Sequence, residues 1–261
     1  PLYSSAASDV YKRQVQNKRK KILKKVSYKV QYMNVISLIW LILMNSGTSE
    51  ATKMHKPKIA LTIAGTDPSG GAGVMADLKS FHACGVYGMA AITSIVAQNT
   101  KGVQHIHNLE TSWVQEQLDS VFNDELPHAI KTGMIATHET MELIQHYLKQ
   151  HSDIPYVIDP VMLAKSGDSL MDDDTKKHLQ NTLLPLADVV TPNIPEAEEI
   201  TGIKIDTEEN IRKAGNIFIN EIGSKGVVIK GGHSADLNNA KDFLFTKDDV
   251  YTLSLIHISE P

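Results

Sequence analysis

The sequence predicts an α/β fold in which helices flank a mostly parallel central sheet. From residue 54 onward, short apolar runs alternate with segments of helical periodicity. A glycine-rich segment at 65–73 joins the first apolar run to the first helical segment. Polar residues follow directly after several apolar runs, where ligands bind in sheets of this kind. We therefore expect strand–helix–strand units with right-handed crossovers in a single domain.

Each predicted element rests on its residue spacing and on the residues that flank it. Residues 58–64 (KIALTIA) form a mainly apolar run of strand length that ends at the glycine-rich segment. Val114, Leu118 and Val121 share one face of a predicted helix, and the later strands are short runs bounded by proline or glycine. The predicted strands are 58–64, 89–97, 129–132, 156–158, 188–191 and 226–230, and the predicted helices are 74–83, 112–122, 139–150 and 208–222.

Composition and charge exclude several classes of protein. A hydrophobic content of 42% is typical of a globular chain. The single cysteine, Cys84, excludes an intramolecular disulfide and a multi-cysteine metal site, as is usual in a reducing cytosol. Residues 1–53 hold ten basic and two acidic residues, a net charge of +8, whereas the other 208 residues hold 16 basic and 28 acidic ones, a net charge of −12. The acidic part disfavours nucleic-acid binding, and we expect a cytoplasmic protein.

The basic N-terminal part leaves three interpretations open. A basic stretch at 18–29 precedes an apolar segment at 35–44, as in a signal peptide or membrane anchor. However, a span needs about 20 apolar residues, and no A-x-A-like cleavage site follows. The basic stretch also fits a nucleic-acid-binding arm. Residues 4–14 and 253–261 resemble translated sequencing-adapter sequence, and the stretch before residue 54 resembles an upstream region read out of frame. We favour this third interpretation: 1–53 is a non-native extension, 54–251 the folded domain and 252–261 an adapter-like tail.

The glycine-rich segment at 65–73 indicates a ligand site. Its four glycines let the backbone approach a ligand closely, and the helix that follows favours anionic groups at its N-terminus. No Gly-Lys-Ser/Thr follows, so the segment is not a P-loop. Residues 71–76 match the dinucleotide pattern G-x-G-x-x-A, which keeps a nicotinamide-dependent oxidoreductase as an alternative. That alternative is disfavoured, because no carboxylate lies between Asp77 and Glu110 to hold a ribose.

Three further sites follow predicted strands. Asp159 precedes a proline, as turn aspartates often do, and Asn193 with Glu196 fits an ordinary helix start. Lys230 and Gly231 follow the next strand. Taken together, these residues place carboxylates, an amide and a basic group with backbone N–H groups along one sheet edge. Phosphoryl transfer with Mg²⁺ and ATP needs groups of these kinds.

Five motifs in order resemble the hydroxymethylpyrimidine/phosphomethylpyrimidine kinases of thiamine biosynthesis, which belong to the ribokinase superfamily. The resemblance covers essentially all of 54–251 and implies a ribokinase-like fold. The motifs are 60–73 (ALTIAGTDPSGGAG), 96–100 (VAQNT), 159–167 (DPVMLAKSG), 191–197 (TPNIPEA) and 230–233 (KGGH).

The resemblance also implies roles for single residues. Gln98 would hydrogen-bond the aminopyrimidine, because its amide offers both a donor and an acceptor. Asp159 and Glu196 would support Mg²⁺, while Asn193, Lys230 and Gly231 would hold ATP. The weaker substrate-pocket candidates are Gly65, Asp67, Asp77, Met134 and Val161. A pyridoxine or pyridoxal kinase is the alternative, which Gln98 disfavours, and a homodimer is compatible with the resemblance.

One departure from the family concerns catalysis. The family carries a Gly-x-Gly-Cys motif at a helix N-terminus, whose residues stabilise the transferring phosphate and activate the substrate hydroxyl. The present sequence contains no such motif, and Cys84 does not replace it. We therefore leave the catalytic residue unassigned. We expect a domain that is incomplete at its C-terminus, with little or no kinase activity of its own.

Overall fold

A computed structural model describes residues 57–99, 101–162, 171–231 and 241–254. The interpretation of 1–53 lies outside these residues, and so does most of the 252–261 segment. Within them, no helix is both long enough and apolar enough to cross a lipid bilayer.

The sheet and helices appear in the predicted alternation. The strands are β1 (Ile59–Ala64), β2 (Tyr87–Ile92), β3 (Ser94–Asn99), β4 (Gly102–Asn108), β5 (Ala129–Thr132), β6 (Tyr156–Ile158), β7 (Val189–Val190), β8 (Gly226–Ile229), β9 (Lys241–Thr246) and β10 (Val250–Ser254). The helices are α1 (Gly73–Ala83), α2 (Thr111–Phe122), α3 (His138–Gln150), α4 (Asp173–Thr182), α5 (Ile194–Thr201) and α6 (Glu208–Ile217). A 3₁₀ turn, Leu184–Leu186, follows α4, and a π-helical turn, Phe218–Ile222, extends α6.

Eight strands form one sheet in the order β10-β9-β8-β7-β6-β5-β1-β2. The neighbours from β2 through β1 and β5 to β8 are parallel, whereas β8, β9 and β10 pair antiparallel. The sequence-based prediction of a mostly parallel α/β sheet is therefore confirmed. The carboxyl ends of β1, β5, β6, β7 and β8 meet at one edge, where the predicted site residues follow them.

The prediction of a single strand over 89–97 is wrong. The chain forms β2 in the main sheet and then, after Thr93, β3, which pairs with β4 in a separate two-stranded ribbon. The apolar residues of β2 and β3 run on almost continuously in the sequence, so composition hides the break. Gln98 therefore lies on the ribbon, and does not follow a strand of the main sheet.

The helices begin at polar caps and bury their apolar faces. Thr137, Asp172 and Thr207 each accept a hydrogen bond from a first-turn amide of the helix they precede. Val114 and Leu118 of α2 are fully buried in the main core, as the helical spacing predicts. These helices cover the sheet and leave its carboxyl edge to carry polar groups.

Candidate active site

One face of the sheet carries a row of polar side chains at its carboxyl edge. Lys131 on β5 is opposite Val157 on β6, and Val157 is opposite Val189 on β7. Asp159 and Thr191 lie two residues beyond these valines, and side chains alternate along extended chain. Lys131, Asp159 and Thr191 therefore project from the same face.

Asp159 is held by two partners in this row. Its Oδ1 accepts hydrogen bonds from Lys230 Nζ at 2.9 Å and from Thr191 Oγ1 at 3.2 Å. Burial by itself would raise the pKa of Asp159, but the charges of Lys230 and Lys131, together with the hydrogen bonds from Lys230 and Thr191, hold that pKa below its ordinary value. Asp159 is consequently ionised at neutral pH.

Glu196 and Asn193 form the capping box at the start of α5. Asn193 Oδ1 accepts from the Glu196 amide, and Glu196 Oε2 accepts from the Asn193 amide, both at 2.8 Å. Glu196 is only 3% exposed. Burial, followed by repulsion from Asp159, raises its pKa to about 7, against the opposing effects of Lys230 and of amides at Asn193 and Met162.

The donor set at Asp159 and Glu196 fits a divalent cation. Carboxylate oxygens are the protein ligands that Mg²⁺ prefers, and the mutual repulsion that raises the pKa of Glu196 is one that a cation would relieve. Across the described residues, no group of three or more His, Cys, Asp or Glu side chains could hold a metal ion. A magnesium ion beside these two carboxylates would complete its coordination with water and phosphate oxygens.

Lys230 and Gly231 lie where β8 ends. Lys230 forms a parallel bridge with Asn193, and its amide donates to the Pro192 carbonyl at 2.9 Å. Burial would lower the pKa of Lys230, but Asp159 and Glu196 raise it above its ordinary value. The Gly231 amide donates to Asp242 Oδ1 at 3.0 Å. The rest of the 230–233 motif and residues 163–167 lie outside the described residues.

The glycine-rich segment is a folded loop held by Asp67. The Asp67 carboxylate accepts hydrogen bonds from the Ser69 amide and hydroxyl and from the Gly71 amide, at 2.7 to 3.0 Å. Burial would raise the pKa of Asp67, but these hydrogen bonds outweigh it and lower the pKa. The oxygens of Asp67 are thus engaged in fixing the loop.

Asp77 is buried in an ion pair. Its Oδ2 accepts from Thr62 Oγ1 at 2.5 Å and from Lys131 Nζ at 2.8 Å. These contacts join α1 to β1 and β5, directly behind the glycine-rich loop. From the sequence, we assign Asp77 to the substrate pocket, but in the structure its side chain already has two protein partners.

Gly65, Met134 and the ribbon approach one another closely. A methyl group at Gly65 would lie 3.1 Å from Met134 Cε and 3.4 Å from Val96 Cγ2. Gln98 is two residues beyond Val96 on β3, just after the register of the β3–β4 pairing shifts between Ala97 and Gln98. Val161 is half-buried near the carboxyl end of β6, and its amide donates to the Asp159 carbonyl at 2.8 Å. Val96 thus brings the ribbon that carries Gln98 beside Gly65.

Comparison with known proteins identifies the family. A model of the family described as phosphomethylpyrimidine kinase matches residues 67–260. The chain belongs to this kinase family. A hydroxymethylpyrimidine/phosphomethylpyrimidine kinase of Staphylococcus aureus (strain MSSA476) is 79% identical over 199 residues, covering 76% of this chain and 72% of the relative.

Solved structures of vitamin kinases share the fold of this phosphomethylpyrimidine kinase family member. A crystal structure of phosphomethylpyrimidine kinase from Clostridium difficile 630 aligns with a TM-score of 0.69 and 45% identity, covering 75% of this chain and 83% of that one. A Staphylococcus aureus pyridoxal kinase in complex with AMP-PCP and pyridoxal aligns with a TM-score of 0.69 and 33% identity, covering 76% and 71% of the two chains. The expected ribokinase-like fold is therefore confirmed.

Two charged members of the site region were missed in the sequence. Lys131 lies in the strand AIKT among buried neighbours, and a lysine inside a short apolar strand is a signal that the sequence offers. Asp242 lies on β9, and only the pairing of β9 with β8 brings it to Gly231. No local pattern marks Asp242, because its partner is 11 positions away in the chain.

Proposed function

We propose that this chain binds ATP and an aminopyrimidine and belongs to the step that phosphorylates hydroxymethylpyrimidine and then its monophosphate. The observation that carries the proposal is the partly buried group of Asp159, Glu196 and Lys230, together with the close approach of Gly65 and Met134 to the ribbon that carries Gln98. The first group suits a magnesium–phosphate unit, and the second suits a flat, neutral ring. The names of the relatives support the same reaction.

Three groups would hold the nucleotide phosphates. Lys230 has an ammonium with three N–H donors, of which Asp159 takes one. The Asn193 backbone bridges to Lys230, and the Gly231 amide follows Lys230 directly in the chain. Magnesium bound at Asp159 and Glu196 would neutralise charge on the transferring phosphoryl group. The role of these residues is to orient the phosphates and to exclude water from them.

Gln98 would orient the pyrimidine. Its amide carries a donor and an acceptor, and no hydrogen-bond partner for it is found among the described residues. Asp67 and Asp77 already have several partners, so their contacts support structural roles in the loop and in α1. We therefore assign recognition of the ring to Gln98 before either aspartate.

A pyridoxal kinase is the second candidate, because solved pyridoxal kinases align over most of the chain. Calorimetric titration of the full chain with MgATP, hydroxymethylpyrimidine and pyridoxal separates the two. We expect MgATP and the pyrimidine to bind, and pyridoxal to bind more weakly. Since the sequence lacks Gly-x-Gly-Cys, we expect little ATP-dependent product. Tighter binding of pyridoxal would contradict the proposal, as would the absence of nucleotide binding.

The variant Gln98→Met tests the role of Gln98 in the same titration. Losing one or two hydrogen bonds to the ring should weaken pyrimidine binding by about tenfold or more. Binding of MgATP should not change, which makes it the internal control. Undiminished pyrimidine affinity in the variant would remove Gln98 from the substrate site.

A further inference from the structure

Thr93 lies where the chain leaves the main sheet for the ribbon, and it is 3% exposed. Each of its three polar groups bonds to a different segment. The Thr93 amide donates to the Ala64 carbonyl at 3.0 Å, and the Thr93 carbonyl accepts from the Leu109 amide at 2.9 Å. Its hydroxyl donates to the Met134 carbonyl at 3.1 Å. Thr93 thereby joins the ends of β1 and β4 to the loop after β5.

These three segments adjoin Gly65, Met134 and the ribbon, which form the pyrimidine end in the proposed function. Ala64 immediately precedes Gly65, and Leu109 directly follows the ribbon that carries Gln98. Met134 lies so close to Gly65 that a methyl group there would be 3.1 Å from Met134 Cε. A change in the position of the Met134 backbone would therefore alter the gap between Met134 and Gly65.

The backbone on both sides of Thr93 is fixed independently. Before it, the Gln117 side chain accepts from the Ile92 amide at 2.8 Å and donates to the Ile92 carbonyl at 3.0 Å. After it, the Ser94 carbonyl accepts from the Thr66 amide at 2.9 Å. With its neighbours held in this way, the Thr93 hydroxyl is a rigid anchor for the Met134 carbonyl.

We propose that Thr93 is a positioning residue that sets the affinity for the pyrimidine by holding Met134 against Gly65 and the ribbon. It acts through Met134 and does not touch the substrate. The inference rests on the proposed function, since it takes the pyrimidine to lie beside Met134 and Gln98. It distinguishes the pyrimidine end, which Thr93 anchors, from the nucleotide end at Lys230, which it does not contact.

The test compares Thr93→Val with Thr93→Ser in the full chain. Valine removes the hydroxyl at almost constant volume, so pyrimidine affinity should fall about tenfold, the effect of one lost hydrogen bond. MgATP affinity should stay within about twofold. Thr93→Ser keeps the hydroxyl and should restore the pyrimidine affinity. If Thr93→Val does not fold, Thr93→Ala takes its place in the test, because alanine also removes the hydroxyl and adds no new methyl group.

Ser224→Ala is the matched control. The Ser224 hydroxyl is also buried and also donates to a main-chain carbonyl, that of Leu184, at 3.2 Å, but it precedes β8 at the opposite end of the strands. It should lower the stability to urea without changing pyrimidine affinity. Equal affinity in Thr93→Val and the wild type overturns the inference alone, and so does an equal loss for both ligands. A wild-type chain that binds no pyrimidine overturns the proposed function and the inference together.

Discussion

At the scale of single residues, the pKa values of Asp159 and Glu196 are displaced in opposite directions, although burial raises both. Asp159 faces the ammonium groups of Lys230 and Lys131, so its pKa falls despite burial. Glu196 is buried and faces Asp159, so its pKa rises to about 7, although two backbone amides and Lys230 oppose the rise. Two neighbouring carboxylates thus differ in charge state near neutral pH because their partners differ.

The pH dependence of stability should show the raised pKa of Glu196. A carboxyl whose folded pKa lies above its unfolded value of about 4.5 binds more protons in the folded state, so stability falls as pH rises toward 7. Glu196→Gln keeps the capping box and removes the titration. Between pH 5 and pH 8, urea denaturation should show the wild type losing roughly 2 kcal/mol relative to this variant.

If the free energy of unfolding of the wild type and that of Glu196→Gln changed with pH in the same way, the raised pKa of Glu196 would be contradicted. The comparison within one pair of proteins cancels the histidines and other groups that titrate over the same range. Added Mg²⁺ with nucleotide should favour the ionised form of Glu196. The pH profile of wild-type stability should then shift toward lower pH, whereas the pH profile of Glu196→Gln should not shift.

At the scale of elements, the start of α1 packs directly on the end of β1. Gly73 has φ of +56°, and a methyl group there would lie 2.3 Å from the Gly65 carbonyl oxygen. The Val74 amide donates to that same oxygen at 3.0 Å. Glycine is therefore required at 73 both for its backbone angle and for the close approach of strand and helix.

Gly73→Ala should be strongly destabilising, and Gly202→Ala is its control. Gly202 ends α5 with φ of +70° and nothing within 4 Å of an added methyl group. The control should cost about 1 kcal/mol, the strain of the left-handed conformation. Gly73→Ala adds a backbone clash and should cost more than about 3 kcal/mol by urea denaturation. If both variants lost the same free energy of unfolding, the close contact between residue 73 and Gly65 would not contribute to stability.

At the scale of the whole molecule, one polar row crosses the sheet from α1 to β9. It alternates in sign, from Asp77 through Lys131, Asp159 and Lys230 to Asp242. Its shortest ion pairs join Lys131 to Asp77 at 2.8 Å and Lys230 to Asp159 at 2.9 Å. Each charge lies beside one of opposite sign, which is the arrangement that buried charges need.

Replacing one member of the buried pair should be costly. Lys131→Met leaves Asp77 buried without its ammonium partner and should lower the free energy of unfolding by about 3 to 5 kcal/mol. Lys131→Met combined with Asp77→Leu removes both charges and should recover part of that loss. A double variant less stable than either single one would show that the pair is not the source of the effect. Urea denaturation of the four proteins completes the cycle.

Local sequence predicted most elements and failed where the chain changes sheets. The capping box at Asn193 and Glu196 and the helical face of Val114 and Leu118 follow from spacing, and the structure has both. The break at Thr93 was missed, because it depends on bonds to Ala64, Leu109 and Met134, which lie elsewhere in the chain. A run of apolar residues carries no information about which strand it will pair with.

The sequence by itself determined the α/β class, most of the helices and parallel strands, and the motifs that resemble a kinase family. These depend on periodicity and spacing over a few neighbouring residues. Only the tertiary structure decided that Lys131 pairs with Asp77, 54 positions away, and Lys230 with Asp159, 71 positions away. Such pairings follow from strand order and burial, because a buried charge must find a partner wherever the fold brings one within reach.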